Sequence, residues 1–172
     1  KGKNFEAFLK HDFKKIQPAV WKAFLDFVHD YTGFHTWRPT LTKDSGLIEF
    51  LTLFFGCFQG MAFLSDEIGK VFLEFSKLPD NVLSSLMKEW GIKDIGLHSW
   101  DSWLDEKGQR AILSALYVLG WVDGTEHKKK NWIYLNYVGQ TLLGLSPAPP
   151  LSASCTDLKA LSNLCILAGC GL

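Results

Sequence analysis

The chain has 172 residues, 47% hydrophobic and 21% charged, which suits one globular domain or two small packed ones and excludes a disordered polypeptide. Thirteen Phe and seven Trp supply ample side-chain area for a core. Eighteen basic residues balance eighteen acidic ones, so net charge selects no partner, and any contact with nucleic acid has to be local rather than spread over a basic face.

In chain order, residues 1–17 carry Lys1, Lys3, Lys10, Lys14 and Lys15 against Glu6 and Asp12. Phe5, Phe8, Leu9, Phe13 and Ile16 form a helical apolar stripe, so this arm is expected to be an amphipathic helix able to pack on the body or on a partner. Pro18 suits the first turn of a helix over Ala19–Asp30. An apolar helix is expected over Leu47–Phe55, stopped by Gly56 and followed by a short hairpin. The uncharged run Phe50 to Leu64 is fifteen residues long, shorter than the roughly 20 that span a bilayer, and Gly56, Gln59 and Gly60 interrupt it. Ser65 is placed to cap a helix through Phe75, and Pro79 to open Asp80–Trp90. A second amphipathic helix follows over Ala111–Leu119, ended by Gly120. Trp121-Val122 reads as a strand, Asp123-Gly124 as a turn, and Asn131–Leu135 as the return strand. Asn136 is a suitable cap for a last helix, Tyr137–Leu145, ended by Pro147.

The chain repeats itself. Gly33-Phe34-His35-Thr36-Trp37 recurs as Gly96-Leu97-His98-Ser99-Trp100, an offset of 63 residues. Leu41 to Asp44 corresponds to Leu104 to Lys107, and the two apolar helices and their terminal glycines follow in step. Ala62 to Leu73 then matches Ile133 to Leu143 at an offset of 70 to 71, so the second copy has six or seven extra residues between its strands, among them Lys128, Lys129 and Lys130. The expected divisions are an N-terminal helix (1–17), two repeats (18–78 and 79–146) and a Pro/Ser linker with an apolar tail (147–172).

The run Leu116-x-x-Leu119-Gly120-Trp121-Val122 … Ile133-Tyr134-Leu135-Asn136-x-x-Gly139-x-x-Leu142 resembles the stretch that closes many winged-helix domains. Phe54-Phe55-Gly56-Cys57-Phe58 and Phe63-Leu64-Ser65-x-x-x-Gly69-x-x-x-Leu73 resemble it in the first copy. The resemblance implies a mainly α fold with small β-hairpin wings, in two tandem winged-helix-like repeats behind the N-terminal helix. It also implies DNA binding through the helix before a wing and through the wing itself. In the second copy the residues that would serve are Gln109, Arg110 and Ser114, with Tyr117 further along, and Lys128, Lys129 and Lys130 on the wing against phosphates. The first copy offers only Glu49 and Thr52 and reads as structural.

No residue pattern points to catalysis. His35 and His98 are each followed by a hydroxyl and a Trp, and His35, Trp37, His98 and Trp100 are read as turn organisers and core anchors. Cys155, Cys165 and Cys170 lack the close pairs of a zinc site, and Gly56-x3-Gly60 is no phosphate loop. The four cysteines form no disulfide framework, which favours an intracellular setting, cytoplasmic or nuclear, and the chain, without an initiator Met or a signal pattern, reads as part of something longer. The expectation is a non-catalytic nucleic-acid-binding module, with neither cofactor, metal, small-molecule substrate nor membrane contact. The alternative is a protein-interaction scaffold, engaged through the apolar tail or the N-terminal helix.

Overall fold

The computed structural model describes residues 13–31, 46–92 and 104–145. His35, Trp37, His98, Trp100 and the whole of 147–172 lie outside the described residues, as does most of the N-terminal arm. The elements are α1 (Phe13–Tyr31), α2 (Leu47–Cys57), β1 (Ala62–Leu64), α3 (Ile68–Ser76), α4 (Asp80–Glu89), α5 (Glu106–Val118), β2 (Val122–His127), β3 (Lys130–Leu135) and α6 (Tyr137–Leu142). The protein is therefore mainly helical with one small antiparallel sheet, as the periodicity predicts.

At its centre lies α2. Leu47, Ile48, Phe50, Leu51, Leu53, Phe54, Phe55 and Gly56 are all buried, and only Glu49, Thr52 and Cys57 of this helix are partly exposed. Phe54 meets Phe72 of α3 edge-on at 4.6 Å between centroids and Phe75 at 5.3 Å, and Phe50 meets Phe72 at 5.8 Å. Such edge-to-face pairs add to the gain from apolar burial. Gly56 does not end the helix, contrary to expectation: α2 runs one residue further. A Cβ at Gly56 would lie 3.0 Å from the Trp90 ring, so the glycine is there to let that indole in after α4.

Pro18 likewise sits inside a helix instead of opening one. The expected break between 1–17 and the next helix is absent, and α1 is continuous from Phe13 to Tyr31. Ile16, Val20, Phe24 and Val28 are fully buried at helical spacing, and this face holds the helix through the proline. Phe24 stacks on Trp121 with centroids 4.9 Å apart. The Trp21 indole N–H donates to the Leu142 carbonyl at 2.9 Å, serving an acceptor at the end of α6.

The sheet corrects the expected hairpin of the first repeat. Among the described residues, 18–78 hold one strand, β1, and it pairs with β3, Phe63 opposite Ile133, giving the strand order β1-β3-β2. Phe58 to Gly60 form a turn where the other strand was expected. Ser65 does not cap α3; its backbone N–H donates to the Asn131 carbonyl at 3.0 Å and continues the strand pairing, while Glu67 precedes the helix without a side-chain cap. Asn136 does cap α6, accepting from the Gly139 N–H at 3.0 Å and donating to the Gly120 carbonyl at 2.8 Å. Residues from α1 to α6 share one contiguous apolar core.

Candidate nucleic-acid interface

Asp105 sets the start of α5, its carboxylate accepting from the Gly108 N–H at 2.8 Å. Gly108, Ala111, Ile112, Ala115 and Leu116 face inward, which turns Glu106, Arg110, Tyr117 and Val118 to solvent. Gly120, at φ 67°, ends this helix in the left-handed conformation that a residue without Cβ adopts freely. The chain then enters β2.

The hairpin is longer than its sequence suggests. Asp123 and Gly124 lie within β2, opposite Tyr134 and Ile133, rather than at a turn. Pairing Val122 with Leu135 keeps the apolar ends of both strands on the core, and this register carries the extra residues outward. His127 and Lys130 close the ladder, leaving Lys128-Lys129 as the two-residue connection. Both have positive φ, 52° and 62°. Two such residues mark the tight hairpin turn that matches strand twist, a turn normally made by Asn-Gly. A side chain there costs on the order of 1 kcal/mol per residue.

Lys128, Lys129 and Lys130 are exposed, and none is ion-paired with a described residue. Arg110 is exposed too, but its guanidinium is engaged by Glu106 one turn before it. Ser114 is half-buried. Gln109 departs from expectation: its side-chain amide N–H donates to the Leu104 carbonyl, and its oxygen lies against Gly69 of α3. The amide is tied back to the start of its own helix and packs against α3. The helix period places Gln109 beside Arg110, but only the close approach of α3 at a glycine decides which of them turns inward.

Tyr117 is the exposed aromatic group of α5, at 44%, with Val118 beside it at 56%. Its hydroxyl would lie 3.3 Å from a Cβ on Gly124, so the ring reaches across from α5 to the bare backbone of β2. Burial, and secondarily the Asp123 carboxylate, hold the Tyr117 hydroxyl above its ordinary pKa. It stays protonated and neutral. Cys57 is a free thiol, its pKa raised chiefly by burial and also by Glu89, against a lowering hydrogen bond with Trp90. Among the described residues no helix is long and apolar enough to cross a membrane.

The helix face and the hairpin together present Arg110, Lys128, Lys129 and Lys130 with the exposed phenol of Tyr117, and no group of His, Cys, Asp or Glu side chains among the described residues could hold a metal ion. No family model, no curated protein and no solved structure matches the chain.

Proposed function

We propose that this chain is a winged-helix-like module that binds nucleic acid, DNA in the first instance, with the β2–β3 hairpin as its wing and α5 as the helix laid beside the groove. The observation that carries the proposal is the hairpin tip. Two lysines occupy the positive-φ positions of a turn that Asn-Gly would make at lower cost, and a third follows immediately. Strain retained at an exposed tip argues for a role outside folding. The side chains retained there are those that neutralise phosphates.

The order helix, strand, helix, further helices, hairpin, together with the β1-β3-β2 sheet, supports a winged-helix reading. The tandem repeat inferred from sequence is then a duplication whose halves share one sheet, the first copy giving up its own wing. The engaged groups would be Lys128 to Lys130 at the hairpin tip, with Arg110 joining them only when its exposed pair with Glu106 opens. No base-reading role remains for Gln109, so binding would draw on the backbone and be weakly selective for sequence. The free thiol of Cys57 fits the reducing, intracellular setting proposed for the protein.

The test is fluorescence anisotropy of a labelled duplex titrated with the chain over a series of salt concentrations. Each phosphate contact contributes about −0.9 to the slope of log K against log salt, so Lys128→Ala/Lys129→Ala/Lys130→Ala should flatten that slope by roughly 2 to 3. An unchanged slope, or no binding by the wild type at low salt, would sink the proposal. The second reading, a protein-docking block, draws on the exposed Met61, Val82 and Val118. It gains if duplex binding is absent.

A further inference from the structure

We infer that the angle between α5 and the hairpin takes an unpaired base, stacked on Tyr117, so that the module prefers a duplex flanked by single strand over a continuous duplex. The inference rests on the nucleic-acid reading above and narrows its ligand. Three observations converge on it.

Tyr117 is set as a platform. Its hydroxyl end reaches Gly124 of β2, where a Cβ would lie 3.3 Å from the hydroxyl, and the side chain remains 44% exposed. A flat, partly supported aromatic surface beside a cationic tip is what a base with a free face stacks on, whichever base it is. A continuous duplex buries its base faces in its own stack and offers none to such a ring.

The neighbouring helix face has little with which to read a groove. The Gln109 amide is consumed between Leu104 and Gly69, and the Arg110 guanidinium is held by Glu106. Base-edge recognition relies on just such amide and guanidinium forks. The chemistry left on the exposed face of α5 near the hairpin is that of Tyr117 and Val118.

Charge then separates the two ends of the site. Strand alternation puts Glu126 on the same face as Gly124, opposite Asn131. Its carboxylate repels a phosphate track running the length of β2. Phosphates are drawn instead to Lys128 to Lys130, about 13 Å from Gly124 for four residues at ~3.3 Å each. A rigid duplex laid along the strand would meet Glu126. A strand that turns its base toward Tyr117 and its backbone toward the tip avoids it.

The experiment uses the full chain and three labelled probes in anisotropy titrations: a blunt duplex, a single strand, and a duplex ending in two single-stranded arms. Wild type should bind the armed duplex about tenfold more tightly than the blunt one, the size of one base–aromatic stack. Tyr117→Ala should remove that preference, and Tyr117→Phe should retain it. Glu126→Gln should strengthen blunt-duplex binding and so narrow the preference from the other side. Equal affinity of the wild type for armed and blunt duplexes overturns the inference and leaves the phosphate-binding proposal standing. So does a Tyr117→Phe variant that behaves like Tyr117→Ala. Absence of binding to all three probes overturns both.

Discussion

Lys128 and Lys129 hold a backbone conformation that their own side chains disfavour. Their positive φ values require backbone that Asn and Gly adopt readily and that a long side chain resists. Lys128→Asn/Lys129→Gly should therefore raise the unfolding free energy by about 1 to 2 kcal/mol in urea denaturation, by relieving strain in the folded turn. The same variant should bind duplex less tightly at low salt. A gain in one property with a loss in the other distinguishes a functional tip from an indifferent loop, which would lose nothing in binding. The lysines themselves were legible in the sequence. Their place in the loop between the strands was legible too, but not the two-residue turn, because Asp123-Gly124 is the stronger local turn signal, and only the pairing of Val122 with Leu135 overrides it.

Among elements, the contact of α3 with α5 turns on Gly69 and Gln109. A Cβ at Gly69 would collide with the Gln109 amide oxygen while the amide N–H is held by the Leu104 carbonyl. Gly69→Ala should cost about 2 kcal/mol through overpacking, and Gln109→Ala about 1 kcal/mol through the lost hydrogen bond. Because Gln109→Ala removes the group that collides, the double variant should be less destabilised than the two single changes together. Strict additivity in thermal or urea unfolding would show that the contact is not the one described. Two helix starts were located by their flanking residues: Pro79 precedes α4, and Asn136 caps α6 through its own side chain. Gly56 and Pro18 were misleading for a common reason. Each is a helix punctuator by local propensity, and each is carried inside a helix by what packs on it, Trp90 on Gly56 and the core on the buried face of α1.

For the molecule as a whole, the shared sheet and single core bind the two halves of the sequence into one folding unit. Phe24 of α1 stacks on Trp121, and β1 completes the sheet that β2 and β3 begin. Residues 79–146 produced alone would expose Trp121 and the free edge of β3, and should show no cooperative thermal transition by circular dichroism. Mixing with residues 1–78 should restore one. An isolated second half that melts cooperatively would mean the shared interface contributes little.

From the sequence alone came the helical class, the apolar faces, the repeat of landmarks and the lysine triplet, since each follows from spacing along one strand of chain. Which strand β1 joins, which way Gln109 turns and where the hairpin bends were settled only in three dimensions. Those outcomes depend on backbone pairing and close approach between segments distant in sequence, and local residue order carries no record of the distances involved.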